Sequence, residues 1–169
     1  MPFYHYQERP EELENPLNNL GYLLKLLNES CMAQVEESMK EFDLTAAQWR
    51  PLVILDLKQA ETPAEIARIM NTDTGAMTRM LDRLEKKGFI NRIRCETDRR
   101  VINLKLTDKG NQVTKKLMPT VATVLNKALQ SFNKEEFELF KQLTMRMLNN
   151  LNPEEINHLK TIVQCTRKC

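Results

Sequence analysis

Apolar positions recur along this 169-residue chain with two different periods, and the change between them marks its centre. Leu17, Leu20, Leu24, Leu27, Cys31, Val35 and Met39 return every three or four residues, which predicts a long helix entered at Asn15 and Pro16 and ending near Phe42. Thr45 and Gln48 make a capping-box pair ahead of Trp49, Leu52, Val53, Leu55 and Leu57. A second helix is therefore expected toward Ala60, bent near Trp49 because Pro51 removes a backbone donor. Thr62, Pro63 and Glu65 open a short third helix as N-cap, first-turn proline and capping-box acid, followed by apolar Ala64, Ile66, Ala67, Ile69 and Met70. A break is expected at Asn71 and Thr72. Asp73 then caps a fourth helix whose Met77, Met80, Leu81 and Leu84 fall at i, i+3, i+4 and i+7, and Gly88 stops it behind Lys86 and Lys87.

From there the period falls to two. Phe89 to Cys95 and Val101 to Leu106 alternate apolar with polar around the turn Glu96, Thr97, Asp98, Arg99 and Arg100, which reads as a basic hairpin. Helical spacing resumes at Thr107, an N-cap for Val113, Leu117, Val121, Val124 and Ala128, with Pro119 expected to kink the helix. Phe137, Phe140, Thr144, Met147 and Leu151 mark another helix, and Asn152 with Pro153 begins a last one through Ile156, Leu159 and Val163. The expected fold is mainly α with a small β-hairpin wing: a winged helix-turn-helix whose N- and C-terminal helices form a dimerisation region. We divide it into an N-terminal arm and dimerisation helix over 1–44, a DNA-binding lobe over 45–110 and C-terminal dimerisation helices over 111–169. With only four glycines, no flexible linker separates them.

The flanking apolar stripes are too long for a winged helix of about 50 residues to cover. Half-burying six or seven such side chains from each subunit contributes on the order of 1 kcal/mol apiece, which favours a homodimer over a bundle closed within one chain.

Charge sharpens this picture once it is divided along the chain. Residues 1–61 hold five basic and eleven acidic side chains, a net −6, whereas residues 62–110 hold eleven and seven, a net +4. Within the latter, Arg79 to Lys105 carries nine basic against four acidic residues, concentrated on the fourth helix and the hairpin, where phosphate contacts would be needed. The whole-chain value of +2 conceals that asymmetry.

Other classes fit less well. There is no GxSxG, P-loop, HExxH or dinucleotide fingerprint, and two histidines leave little for acid–base work, so no enzyme, catalytic residue or cofactor is expected. Cys31, Cys95, Cys165 and Cys169 match neither a disulfide framework nor a CxxC metal site; reduced thiols and no metal are expected. No apolar run approaches the roughly 18 to 20 residues of a membrane span, and Met1 to Glu14 is acidic and aromatic, unlike a signal peptide. A cytoplasmic, nucleoid-associated protein is expected. A winged helix used only for protein contacts would need an apolar outer face on the fourth helix, against which Arg79, Asp82 and Lys86 argue.

The run Asp73-Thr-Gly-Ala-Met-Thr-Arg-Met-Leu-Asp-Arg-Leu-Glu-Lys-Lys-Gly-Phe-Ile, with Asp98-Arg-Arg and Leu104-Lys-Leu-Thr-Asp-Lys-Gly110, resembles the MarR (multiple antibiotic resistance regulator) family. Leu44-Thr-Ala-Ala-Gln-Trp49 extends the likeness upstream. The resemblance implies a dimeric winged helix with interlocked terminal helices, released from its operator by small phenolic or aromatic anions, oxidants or metals.

A helical wheel with Met77, Met80, Leu81 and Leu84 inward turns Gly75, Thr78, Arg79, Asp82 and Lys86 outward, with Thr74 near the exposed end. Gly75 permits close backbone approach to double-stranded DNA, Thr74 and Thr78 can meet a thymine methyl or a phosphate, and Arg79 fits guanine O6 and N7. Backbone N–H groups from Thr72 to Thr74 would face a phosphate. By resemblance, Arg99 enters the minor groove with Asp98 and Arg100 bracing the tip, a shape readout favoured by A·T-rich DNA. Lys86 and Arg92 are candidate phosphate contacts.

The resulting expectation is a sequence-specific regulator, a repressor on a pseudo-palindromic operator released by a small aromatic or phenolic effector. Leu27, Cys31, Trp49 and Leu52 are the candidate effector crevice by resemblance, although each is also a natural core residue. The competing mechanism is a thiol redox switch. Cys31 on the apolar stripe favours an inert thiol, while Cys95 beside Arg94 is the better candidate.

Overall fold

The computed structural model describes residues 14–94, 102–154 and 156–157. The wing-tip residues Asp98, Arg99 and Arg100, the thiols Cys95, Cys165 and Cys169, and the N-terminal arm lie outside them. Two compact units divide between Ala46 and Ala47.

The first unit is built on helix α1 (Leu20–Met39), closed by a 3-10 turn over Lys40–Phe42. It starts later than the Asn15–Pro16 pair suggests. Asn15 instead organises a separate turn: its Oδ1 accepts the Leu17 N–H (3.0 Å), its carbonyl accepts those of Asn18 and Asn19, and Asn19 Oδ1 caps the helix by accepting from Tyr22 (3.0 Å). Asp43 takes the left-handed conformation at φ 56°, returning Leu44 N–H to the Met39 carbonyl. Val35 and Met39 are buried, whereas Leu20, Leu24 and Leu27 remain open.

The second unit begins with α2 (Trp49–Asp56). The helix N-cap is Gln48, three residues after Thr45, and it makes no side-chain cap hydrogen bond. Pro51 falls in its first turn, where a missing N–H costs nothing, so the proline starts the helix instead of bending it. The helix stops four residues short of Ala60. Lys58 adopts φ 52°, donating to the Leu55 carbonyl (3.1 Å) while Gln59 donates to that of Ile54 (3.0 Å), which is a Schellman closure made without glycine.

Helix α3 (Pro63–Ile69) carries the expected capping box: Glu65 N–H donates to Thr62 Oγ1 and the Glu65 carboxylate accepts the Thr62 N–H (3.0 Å). Hydrogen bonds from the Glu61 backbone N–H, then from the Thr62 hydroxyl and backbone, hold the Glu65 carboxyl below its ordinary pKa. Asn71, at φ 47°, ends α3 with a second Schellman turn, Thr72 N–H donating to the Ala67 carbonyl (2.9 Å). That turn aims α4 (Thr74–Lys86), N-capped by Asp73. Gly88, at φ 75°, ends α4 the same way and releases the chain into the hairpin β1 (Ile90–Arg94) and β2 (Ile102–Leu106). The strands pair antiparallel, with Ile90 opposite Leu106 and Arg92 opposite Leu104.

Helix α5 (Asp108–Ala128) packs on α2 and contacts β2, and α6 (Lys134–Leu151) follows. The core of this unit gathers Leu52, Ile66, Met77, Leu81, Leu84, Phe89, Ile90 and Leu117, all fully buried. Helix α6 has no buried residue; it has its own capping box, Asn133 with Glu136, a pattern visible in the sequence but not anticipated. Among the described residues no helix is long and apolar enough to cross a membrane.

Candidate nucleic-acid interface

Burying Met77, Leu81 and Leu84 turns the other side of α4 to solvent. Thr74, Thr78, Arg79 and Lys86 are exposed there, with Gly75 half-exposed among them, as the wheel requires. The Thr78 hydroxyl donates to the Thr74 carbonyl (2.8 Å). The Arg79 guanidinium leans back toward the helix start; its Nη1 lies 3.8 Å from where a Cβ on Gly75 would stand. Gly75 thus leaves space beside the side chain best suited to a guanine edge.

Thr72 stands differently from its expectation. Its N–H is spent on the Ala67 carbonyl and its hydroxyl donates to the Met70 carbonyl (3.1 Å), so it shapes the turn. The first-turn donors of α4 begin after it. Asp73 Oδ1 takes the Ala76 N–H (2.9 Å), and the N–H groups of Thr74 and Gly75 have, by position, no intrahelical acceptor.

The base of the wing is tied to both neighbouring helices. Leu104 N–H donates to the Glu61 carbonyl (2.7 Å), holding β2 against the entry to α3. Thr107 N–H donates to the Phe89 carbonyl (3.0 Å), and its hydroxyl donates to the Gly88 carbonyl (2.6 Å) while accepting the Gly110 N–H (3.0 Å). Lys109 lays its ammonium 4.3 Å from the centre of the Phe89 ring and donates to the Lys87 carbonyl (2.8 Å), a cation at the C-terminal end of α4. Arg92 reaches from β1 to α4, its Nη1 2.6 Å from Asp82 and 3.3 Å from Glu85. Sequence reasoning placed Arg92 toward phosphate because alternation cannot tell which face of a strand meets an acidic helix side. On the opposite face, Asn91 and Ile93 are exposed.

The candidate crevice residues fall on two elements. Leu27 is exposed and Cys31 half-buried on α1, while Leu52 is fully buried on α2. Trp49, half-buried at the start of α2, has a buried Nε1 with no acceptor among the described residues.

This arrangement has close counterparts. The MarR family model matches residues 44–102, from the end of the first unit to the start of β2. The multiple antibiotic resistance protein MarR of Escherichia coli K12 is 30% identical over 138 residues, 81% of this chain and 96% of that protein. The chain belongs to the MarR family. A crystal structure of a cysteine-to-serine mutant of E. coli MarR complexed with operator DNA superposes with a TM-score of 0.70 at 28% identity, covering 79% of this chain and 96% of that one. The reduced form of E. coli MarR gives 0.68 at 28% identity, over 76% and 96%. The Staphylococcus aureus MepR–DNA complex gives 0.68 over 79% and 96%, a likeness of fold at 21% identity. As a MarR-family winged helix the chain is a DNA-binding transcriptional regulator and not an enzyme.

Proposed function

We propose that this MarR-family protein is a homodimeric repressor that occupies a pseudo-palindromic operator and leaves it when a small aromatic or phenolic anion binds. The observation that carries the reading is the exposed face of α4, where Thr74, Gly75, Thr78, Arg79 and Lys86 share one side of a helix anchored by a buried apolar stripe. In this reading that face enters the major groove, Arg79 reads a base edge, and Thr74 and Lys86 hold phosphates. Arg99, supported by Asp98 and Arg100, takes the adjacent minor groove. The MarR–operator complex, similar in sequence and fold, supports this mode. Pairing of two copies is supported by the open apolar side chains of α6, among them Phe137, Phe140, Leu143 and Met147, which stay exposed among the described residues.

Effector release is supported by Trp49. Its buried indole N–H has no acceptor among the described residues, a deficit worth about 1–3 kcal/mol that a ligand carboxylate or phenolate oxygen would recover. Because Trp49 is the only tryptophan, titration with hydroxybenzoates should change its fluorescence and lower DNA affinity together. The primary test is selection of a duplex from a randomised library, followed by anisotropy titrations at fixed salt. Arg79→Ala should relax base preference at one position per half-site, at about 1–3 kcal/mol, whereas Arg99→Ala should weaken binding with the fold intact. A wild-type protein that selects no sequence, or an Arg99→Ala variant of unchanged affinity, would refute the reading.

A further inference from the structure

We propose that Arg92 supports DNA binding as a charge shield and strut, neutralising Asp82 and Glu85 on the DNA-facing side of α4, and not as a phosphate contact. The inference rests on the reading of α4 and the wing as the DNA-contacting pair. Arg92 projects from the same face of the hairpin as Ile90, opposite Leu104, and its side chain is 26% exposed, less than Asp82 at 42% or Glu85 at 38%. One terminal nitrogen serves both carboxylates, at 2.6 Å and 3.3 Å. Asp82 follows Arg79 by three residues and lies a turn before Lys86, on the face that meets the duplex.

Two bare carboxylates there would repel the phosphates that Lys86 and the first turn of α4 attract. With the guanidinium in place the cluster carries −1 instead of −2. Handing that guanidinium to a phosphate would uncover both acids, so the exchange gains nothing. The same tie sets the distance between α4 and the wing, two elements that must enter neighbouring grooves together. An ion pair this accessible contributes little to stability, so its effect is read in DNA affinity.

The two roles separate by salt dependence and by rescue. Anisotropy is measured against the duplex that the wild-type protein selects, across a range of salt. Arg92→Gln should weaken binding roughly tenfold at low salt, a deficit that shrinks as salt screens the two uncovered carboxylates. Arg92→Gln combined with Asp82→Asn and Glu85→Gln should recover affinity to within about threefold of wild type, since the repulsion it removes is the repulsion the arginine masked. A slope shallower by about 0.9 for each lost contact, with no recovery in the triple variant, would overturn the proposal, as would unchanged affinity in Arg92→Gln. If that single variant does not fold by circular dichroism, the triple variant, which carries no uncovered carboxylate, decides alone: near-wild-type affinity and slope support shielding, and weak binding with a shallower slope refutes it. Failure of the wild-type protein to select any duplex would instead remove the underlying reading of α4 and the wing.

Discussion

Replacing Gly110 by alanine sets two physical effects against each other, and the structure decides the sign. Gly110 lies in the first turn of α5, where helix propensity alone favours alanine by about 1 kcal/mol. Its backbone, however, presses on the end of the segment leaving α4. An added Cβ would stand 2.1 Å from the Phe89 carbonyl oxygen, 3.1 Å from the carbonyl carbon and 3.2 Å from Leu106 Cδ2. A carbon needs about 3.3 Å from such an oxygen, so the start of α5 must retreat by roughly 1 Å. The two nearest atoms are backbone and cannot rotate away. Retreat also stretches the bond from Thr107 N–H to that same Phe89 oxygen, now 3.0 Å. Overpacking costs about 1–3 kcal/mol and a weakened hydrogen bond about 0.5–1.5 kcal/mol. After the propensity gain, the net destabilisation is about 2 kcal/mol, which for a chain of this size lowers the melting temperature by roughly 4–8 °C. Thermal unfolding followed by circular dichroism, at matched protein concentration because association shifts melting, is the assay. A variant that melts at or above the wild type would show that propensity outweighs the contact and that α5 does not depend on this approach.

The α3 capping box makes stability depend on pH. Because the folded Glu65 carboxyl is held below its unfolded value, its contribution is complete above the ordinary glutamate range and is lost as pH falls through the lowered folded value. Urea midpoints of wild type and Glu65→Gln should converge in acid and differ at neutral pH, and a difference independent of pH would refute this origin. Covering of the open α6 face by a second copy predicts that Phe140→Arg with Leu143→Arg converts a dimer into a folded monomer in sedimentation velocity, with DNA affinity falling strongly as paired half-site binding is lost. A double variant that still sediments as a dimer would place the interface elsewhere.

Local chemistry made much of this chain readable in order. Thr62, Asp73 and Thr107 are N-caps in the structure as in the sequence, because a cap is satisfied by atoms three residues away. The inward stripe of α4 follows from helical period alone, and with it the outward placement of Thr78, Arg79 and Lys86. Helix ends were less legible. Lys58 closes α2 in a left-handed conformation that side chains other than glycine seldom signal, and Asn15 spends its side chain on a separate turn before α1 begins.

What the sequence determined by itself was therefore the succession of elements, the alternation of the hairpin and the basic character of residues 62–110, all consequences of neighbours along the chain. Tertiary structure alone decided that Arg92 faces Asp82 and Glu85 and that Gly110 must lack a side chain beside Phe89. Each of the last depends on how close two segments come and at what angle. Distance between remote groups is set by packing of the whole core, and no period or cap encodes it.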